Sequence, residues 1–407
     1  MNIKRLETSR LFHRFGFGPR PGEYAQALKD GVNVTRTKLT TAPATLTTST
    51  PVALPAITDL GKRPKDKTPE SVPFALAMRS QTQQMGLWWL DMMALSDHGL
   101  TERMVWFWHG HWATSIQKLN YALPMYKQNQ IFRTHALGNF NAMTKAMLND
   151  GALQFWLDGQ DNTAKAPNEN LGRELMELFV LGVNRYSEDD VKAISRVLTG
   201  YQVEKSSGVV TINQNRRDAN PVTLLGKTAS FTGDSLTDFL VARDDCATFI
   251  SERLWYRFIS STETMPTSFN AKKGFATRDI ATTIQAMAAD PSMSDEKYAM
   301  VKSPVEWFIS ACRALELTPS ALKTPGQLNN HLDKLGQVPF NPPNVGGWPA
   351  GEAWLSSATA QYRLAFAAWL IKQSNLSALQ QIPKDARVAK SADWLGVAEW
   401  SARTQSA

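Results

Sequence analysis

Apolar residues recur at helical spacing along most of the chain. From about Pro73 to Ser96 they return at the three- and four-residue intervals of a one-sided helix, and Thr101 is placed to cap a second helix running through Trp112. The same period marks segments near 122–137, 139–149, 168–181 and 187–199, then 234–258, 276–289, 301–315, 325–335, 358–374 and 392–404. Pro19, Pro21 and Glu23 open a further helix through about Lys29.

The period fails in three places. Residues 40–56 read TTAPATLTTSTPVALPA and lead into GKRPKDKTPE, which predicts a flexible Thr/Pro-rich insertion at about 40–70. Between Tyr201 and Phe231, short runs such as Val209–Ile212 and Val222–Leu225 alternate with polar residues and predict a small β-hairpin. Residues 338–351, VPFNPPNVGGWPAG, hold too much Pro and Gly for helix or strand and read as a loop. No fixed repeat is present, which argues against a solenoid. The expected architecture is mainly α, one large multi-helical domain over 1–407 with a β-hairpin insertion near 201–231.

Composition supports a large core, since 43% of residues are hydrophobic and 13 are Trp. The formal charge of +7 is concentrated at one end, because residues 1–70 hold 12 Lys/Arg against 6 Asp/Glu. Its cations, Arg10 and Arg14 among them, could touch phosphates or anionic lipid, but with no nucleic-acid motif beside it this basic arm reads as solvated surface, and no nucleic-acid partner is expected. Cys246 and Cys312 are too few for a disulfide framework and read as buried thiols. No apolar run is long enough to span a membrane, and as written the chain reads as cytoplasmic. Removal of a signal would make it periplasmic or exported.

Three constellations carry chemistry. In Trp106–Trp112 two imidazoles, His109 and His111, stand in an aromatic run, where burial would keep them neutral and suited to base catalysis or metal ligation. Residues two apart on a helix point away from each other, and two hydrogen-bonded core histidines are the competing reading. In Asn168–Phe179, Asn170, Glu174 and Glu177 share a helical face, with Glu169 one turn earlier and Arg173 alongside. Half-buried carboxylates there could act as acids or ligands, and an Arg173–Glu177 lock between helices is the alternative. Around Asn344 and Trp348, prolines and paired glycines could hold the indole at a pocket mouth or plug a core. We expect the His and Glu segments to converge on one pocket with Trp348 near its mouth, since buried polar groups need partners.

Taken in this order, the motifs resemble the bacterial domain of unknown function 1800 family. The resemblance rests on Arg10–Gly18, Phe107–His111, Asn168–Leu178, Ser187–Gly200, Val301–Glu306 and Pro342–Pro349, and it covers nearly the whole chain. It implies a sulfatase-like exported protein as a partner. It also implies a His-Asp pair and a His-Pro pair where this chain has Arg217–Asn220 and Asp244–Cys246.

Two functional classes follow. One is a hydrolase with Glu174, Glu169 or Glu177 in acid–base roles, His109 or His111 assisting, and Arg173, Asn344 and Trp348 binding the substrate. The other is a non-catalytic binding or assembly partner. Substrate and cofactor are unknown, and a divalent metal is not backed by a recognised ligand spacing.

Overall fold

The computed structural model describes residues 2–43, 52–267, 269, 275 and 277–398. Helices dominate, in agreement with the period of the sequence. The long Ser71–Leu95 helix packs against the Gly99–His111, Ala122–His135 and Pro304–Ala314 helices. In Gly99–His111 every residue except Gly99 and Gly110 is buried. A helix buried all round has no solvent for its polar side chains, so each must find a partner inside the protein.

That requirement shapes the core. Glu102 accepts from Arg133 Nε at 2.7 Å and Nη2 at 2.9 Å, and from Trp89 Nε1 at 3.1 Å. Arg103, one residue on, pairs with Glu306 at 2.7 Å and lies 4.9 Å over the Phe258 ring. Thr101 is not the cap of this helix. His98 holds that position, and the helix starts early because Gly99 lies against Gly16, where an added Cβ would come within 3.1 Å of the Gly16 Cα.

Two hairpins stand where one was expected. Tyr201–Glu204 pairs antiparallel with Val209–Ile212, and Val222–Leu224 with Lys227–Ala229 as a separate sheet. The second turns on Leu225 and Gly226, both at positive φ, the geometry that matches strand twist in a tight hairpin. The 234–258 segment divides at the extended Arg243 into Gly233–Ala242 and Asp244–Phe258.

Among the described residues, the helices Ile3–Arg14, Val32–Thr40, Gly151–Trp156, most of Lys384–Trp394 and the short Ile116–Leu119 and Ser377–Gln380 escaped the periodic reading. Ile3–Arg14 hid because its buried face includes Arg10 and Arg14. Of the 40–70 insertion, 44–51 lies outside the described residues. Residues 52–70 form no helix or strand, yet Val52 and Ile57 pack on the core and Gly61 accepts from Tyr121 Oη at 3.0 Å. Residues 399–404 of the expected last helix also lie outside the described residues. Among those described, no helix is long and apolar enough to cross a membrane.

Candidate functional site

His109 and His111 leave opposite sides of their helix, as their spacing requires. His109 Nε2 accepts from the Phe340 backbone N–H at 3.1 Å, and its ring lies 5.4 Å from both Phe340 and Trp348. His111 Nε2 donates to the Phe179 carbonyl at 2.9 Å, while its Nδ1 is buried without a partner among the described residues. Burial pushes both imidazoles down to about 3, so both are neutral near pH 7. Phe340 sits at φ +64, and His109 thus satisfies the N–H of a strained loop residue.

The carboxylate segment is α-helical over Asn170–Glu174 and continues as a π-turn over Leu175–Val180. The Leu181 and Gly182 N–H groups both reach the Met176 carbonyl, at 2.9 and 3.0 Å. Such π-turns occur often at functional sites. Glu174 is half-buried, and burial together with the charge of Glu177 raises its carboxyl above the usual range. Glu177 accepts from Tyr186 Oη. Arg173 does not lock to Glu177. It binds Glu188 through both Nη atoms at 2.8 Å and Glu169 at 3.1 Å, because Glu188 arrives from the next helix.

The expected single pocket therefore divides. His109 does meet Trp348, which is buried and stacks on Trp106 with centroids 5.0 Å apart. His111 touches the carboxylate segment at Phe179, through that residue's backbone carbonyl and ring. Among the described residues no hydrogen bond or ion pair joins either imidazole to Glu169, Glu174 or Glu177. Asn344 is exposed and accepts from the Gly346 N–H at 2.9 Å, shaping its own turn. At the non-matching position after the first hairpin, Asp218 pairs with Arg196 at 2.7 Å. No three His, Cys, Asp or Glu side chains among the described residues gather as a metal would need.

A different group of residues surrounds open space. A cavity of ≈ 370 Å³ is lined by Arg10, Arg14, Arg103, His13 and Lys302, with Glu296 and Glu306 as its carboxylates. Arg10 donates to the carbonyls of Ser292, Met293 and Asp295 at 3.2, 3.0 and 2.7 Å, and Arg14 to that of Tyr298. Carbonyls satisfy these guanidinium donors without cancelling their charge, so the wall stays positive. Lys302 keeps some solvent contact and donates a long bond, 3.3 Å, to Ser310 Oγ. Burial pushes its ammonium down to about 8, against the opposing charge of Glu306. His13 Nε2 bonds the Leu395 carbonyl at 2.9 Å, leaving a buried Nδ1 unpartnered.

The Arg103–Glu306 pair also borders a small second hollow with Trp106, Phe107, Gly110, Arg257 and Trp348. The motif segments Arg10–Gly18, Val301–Glu306, Phe107–His111 and Pro342–Pro349 thus meet around one ion pair. Sequence reasoning weighed Arg10 and Arg14 as contacts for phosphate or anionic lipid but favoured a solvated surface, and quoted Lys302 only within a motif. Ser310 lay unnoticed inside an ordinary amphipathic helix, and nothing in its local pattern could have marked it.

A family model described as a protein of unknown function, DUF1800, matches residues 10–407. No curated protein and no solved structure matches the chain.

Proposed function

We propose, from the premise that the chain belongs to the DUF1800 family, that it binds an anionic ligand in the cleft between its N-terminal helix and the Val301–Glu306 segment. Lys302 carries this reading: among the described residues an ammonium with three donors has a single long protein bond, to Ser310, and it lines a cavity with more cations than carboxylates. An incoming phosphate or carboxylate would complete its hydrogen bonding, with Arg10 and Arg14 adding long-range attraction.

Calorimetric titration with inorganic phosphate tests it. Binding should weaken as pH rises through about 8, where Lys302 gives up its proton, and Lys302→Met should cost roughly tenfold in affinity and remove that pH step. Phosphate binding indifferent to Lys302→Met would refute the assignment.

A second reading, hydrolysis, rests on the same 3.3 Å contact. A lysine that deprotonates near pH 8 can take the proton of the Ser310 hydroxyl and activate it as a nucleophile, the arrangement of serine–lysine hydrolases. Ester hydrolysis rising through pH 8 and abolished by Ser310→Ala would favour it. Loss with Glu174→Gln instead would favour the carboxylate-based hydrolase read from the sequence.

A further inference from the structure

We propose that the ligand is an anionic amphiphile, its charged head on Lys302 and its hydrocarbon tail in an apolar groove beside the C-terminal helices. The inference rests on the anion-binding reading above and names the class of ligand. The cationic cavity shares Ser9, His13 and Lys302 with a second of ≈ 350 Å³. That one shares Trp307, Ala311 and Leu395 with a third of ≈ 360 Å³. The three cavities are neighbours, and polarity changes from the first to the third. The third cavity is walled by Leu315, Leu370, Leu376, Leu379 and Trp394 among others, and Ser391 is its one polar lining residue among the described residues.

Two features say what the groove fits. Ile371 and Leu395 line it while 47% and 39% exposed, so the apolar wall is open to a ligand rather than sealed as core. Its lining side chains, Ser391 apart, are apolar, so a peptide laid there would leave most of its N–H and C=O groups without side-chain partners, whereas a hydrocarbon needs none. The volume, roughly a dozen waters' worth, suits a chain of several methylenes. Charge complementarity at one end and apolar continuity at the other select a single molecule carrying both.

The test uses the full chain and calorimetry with inorganic phosphate, butyl, hexyl and octyl phosphate. Each buried methylene should tighten binding about fourfold, hence roughly fifteenfold per two-carbon step. Ala367→Trp, which fills the groove, should flatten that series while leaving inorganic phosphate binding unchanged. Ile371→Glu, at the half-exposed rim, repeats the test should the larger side chain unfold the protein. Lys302→Met should weaken every member by the same factor. A series of equal affinities that is still weakened by Lys302→Met would overturn the amphiphile while sparing the anion site. A chain-length dependence untouched by Lys302→Met would overturn the anion site, and with it the assigned orientation. Free phosphate binding as tightly as octyl phosphate would identify the ligand as a free anion.

Discussion

Asp150 should make the protein lose stability as pH rises. Its side chain is 3% exposed and caps the Gly151–Trp156 helix, accepting from the Leu153 N–H and from Gln128 Nε2, both at 2.7 Å. Burial pushes its carboxyl up to about 7, with those hydrogen bonds opposing. An unfolded aspartate titrates near ~3.9, so between about pH 4 and 7 the folded chain holds a proton that the unfolded chain has released. The folded pKa is the higher one, and stability present at low pH is therefore lost on the way up, at about 1.4 kcal/mol per pH unit. The accumulated loss is about 4 kcal/mol above pH 7.

Asp150→Asn removes the ionisation and keeps the cap. Its Oδ1 takes the place of the Asp150 Oδ2, which accepts from both the Leu153 N–H and Gln128 Nε2. Urea unfolding of both proteins at pH 5, 6, 7 and 8 isolates the effect, since all other titrations cancel in the difference. The variant should gain steadily on the parent from pH 5 to 7 and hold its advantage at pH 8. A difference that stays constant with pH would show that the Asp150 carboxyl does not carry the buried charge described here.

Two further outcomes follow from the core. Glu102→Gln keeps the shape but strands Arg133, itself 8% exposed, and should cost about 3–5 kcal/mol in urea unfolding; a loss under about 1 kcal/mol would show that solvent reaches that guanidinium. Gly347→Ala should cost more than about 2 kcal/mol, because Gly347 sits at φ +79 and its added Cβ would fall 2.2 Å from the Gly110 carbonyl. Gly110→Ala, with Trp348 at 3.9 Å as its nearest neighbour, should be neutral or stabilising by up to about 1 kcal/mol. Equal melting shifts for the two would contradict the close approach that seats Trp348.

Hydrophobic spacing alone determined the helical class, the change to hairpins between Tyr201 and Phe231, and the Ser187–Asp190 capping box that starts the Glu188–Val197 helix. Each depends on residues within a few positions of one another, where helix and strand geometry translate spacing directly into shared faces. Neutral imidazoles at His109 and His111 were legible for the same reason, since an aromatic run predicts burial. Their partners were not. Both bond to the backbone, of Phe340 and Phe179, and every residue type presents the same N–H and C=O.

Only the tertiary structure decided where the open space lies. Arg10 and Arg14 looked like surface charge because a cation in a wall and a cation in water have the same letter, and the carbonyls of 292–298 that hold them come from about 280 positions further along the chain. Arg103 finds Glu306, and Lys302 finds Ser310 across the Pro304–Ala314 helix N-terminus, through packing that no local period encodes. Glu169 and Glu177 parted from the imidazoles because Arg173 and Tyr186 reached the carboxylates and backbone groups the imidazoles. A buried polar group takes whichever partner the assembled core brings within hydrogen-bond distance, and that competition is settled by the whole fold rather than by its own neighbourhood in sequence.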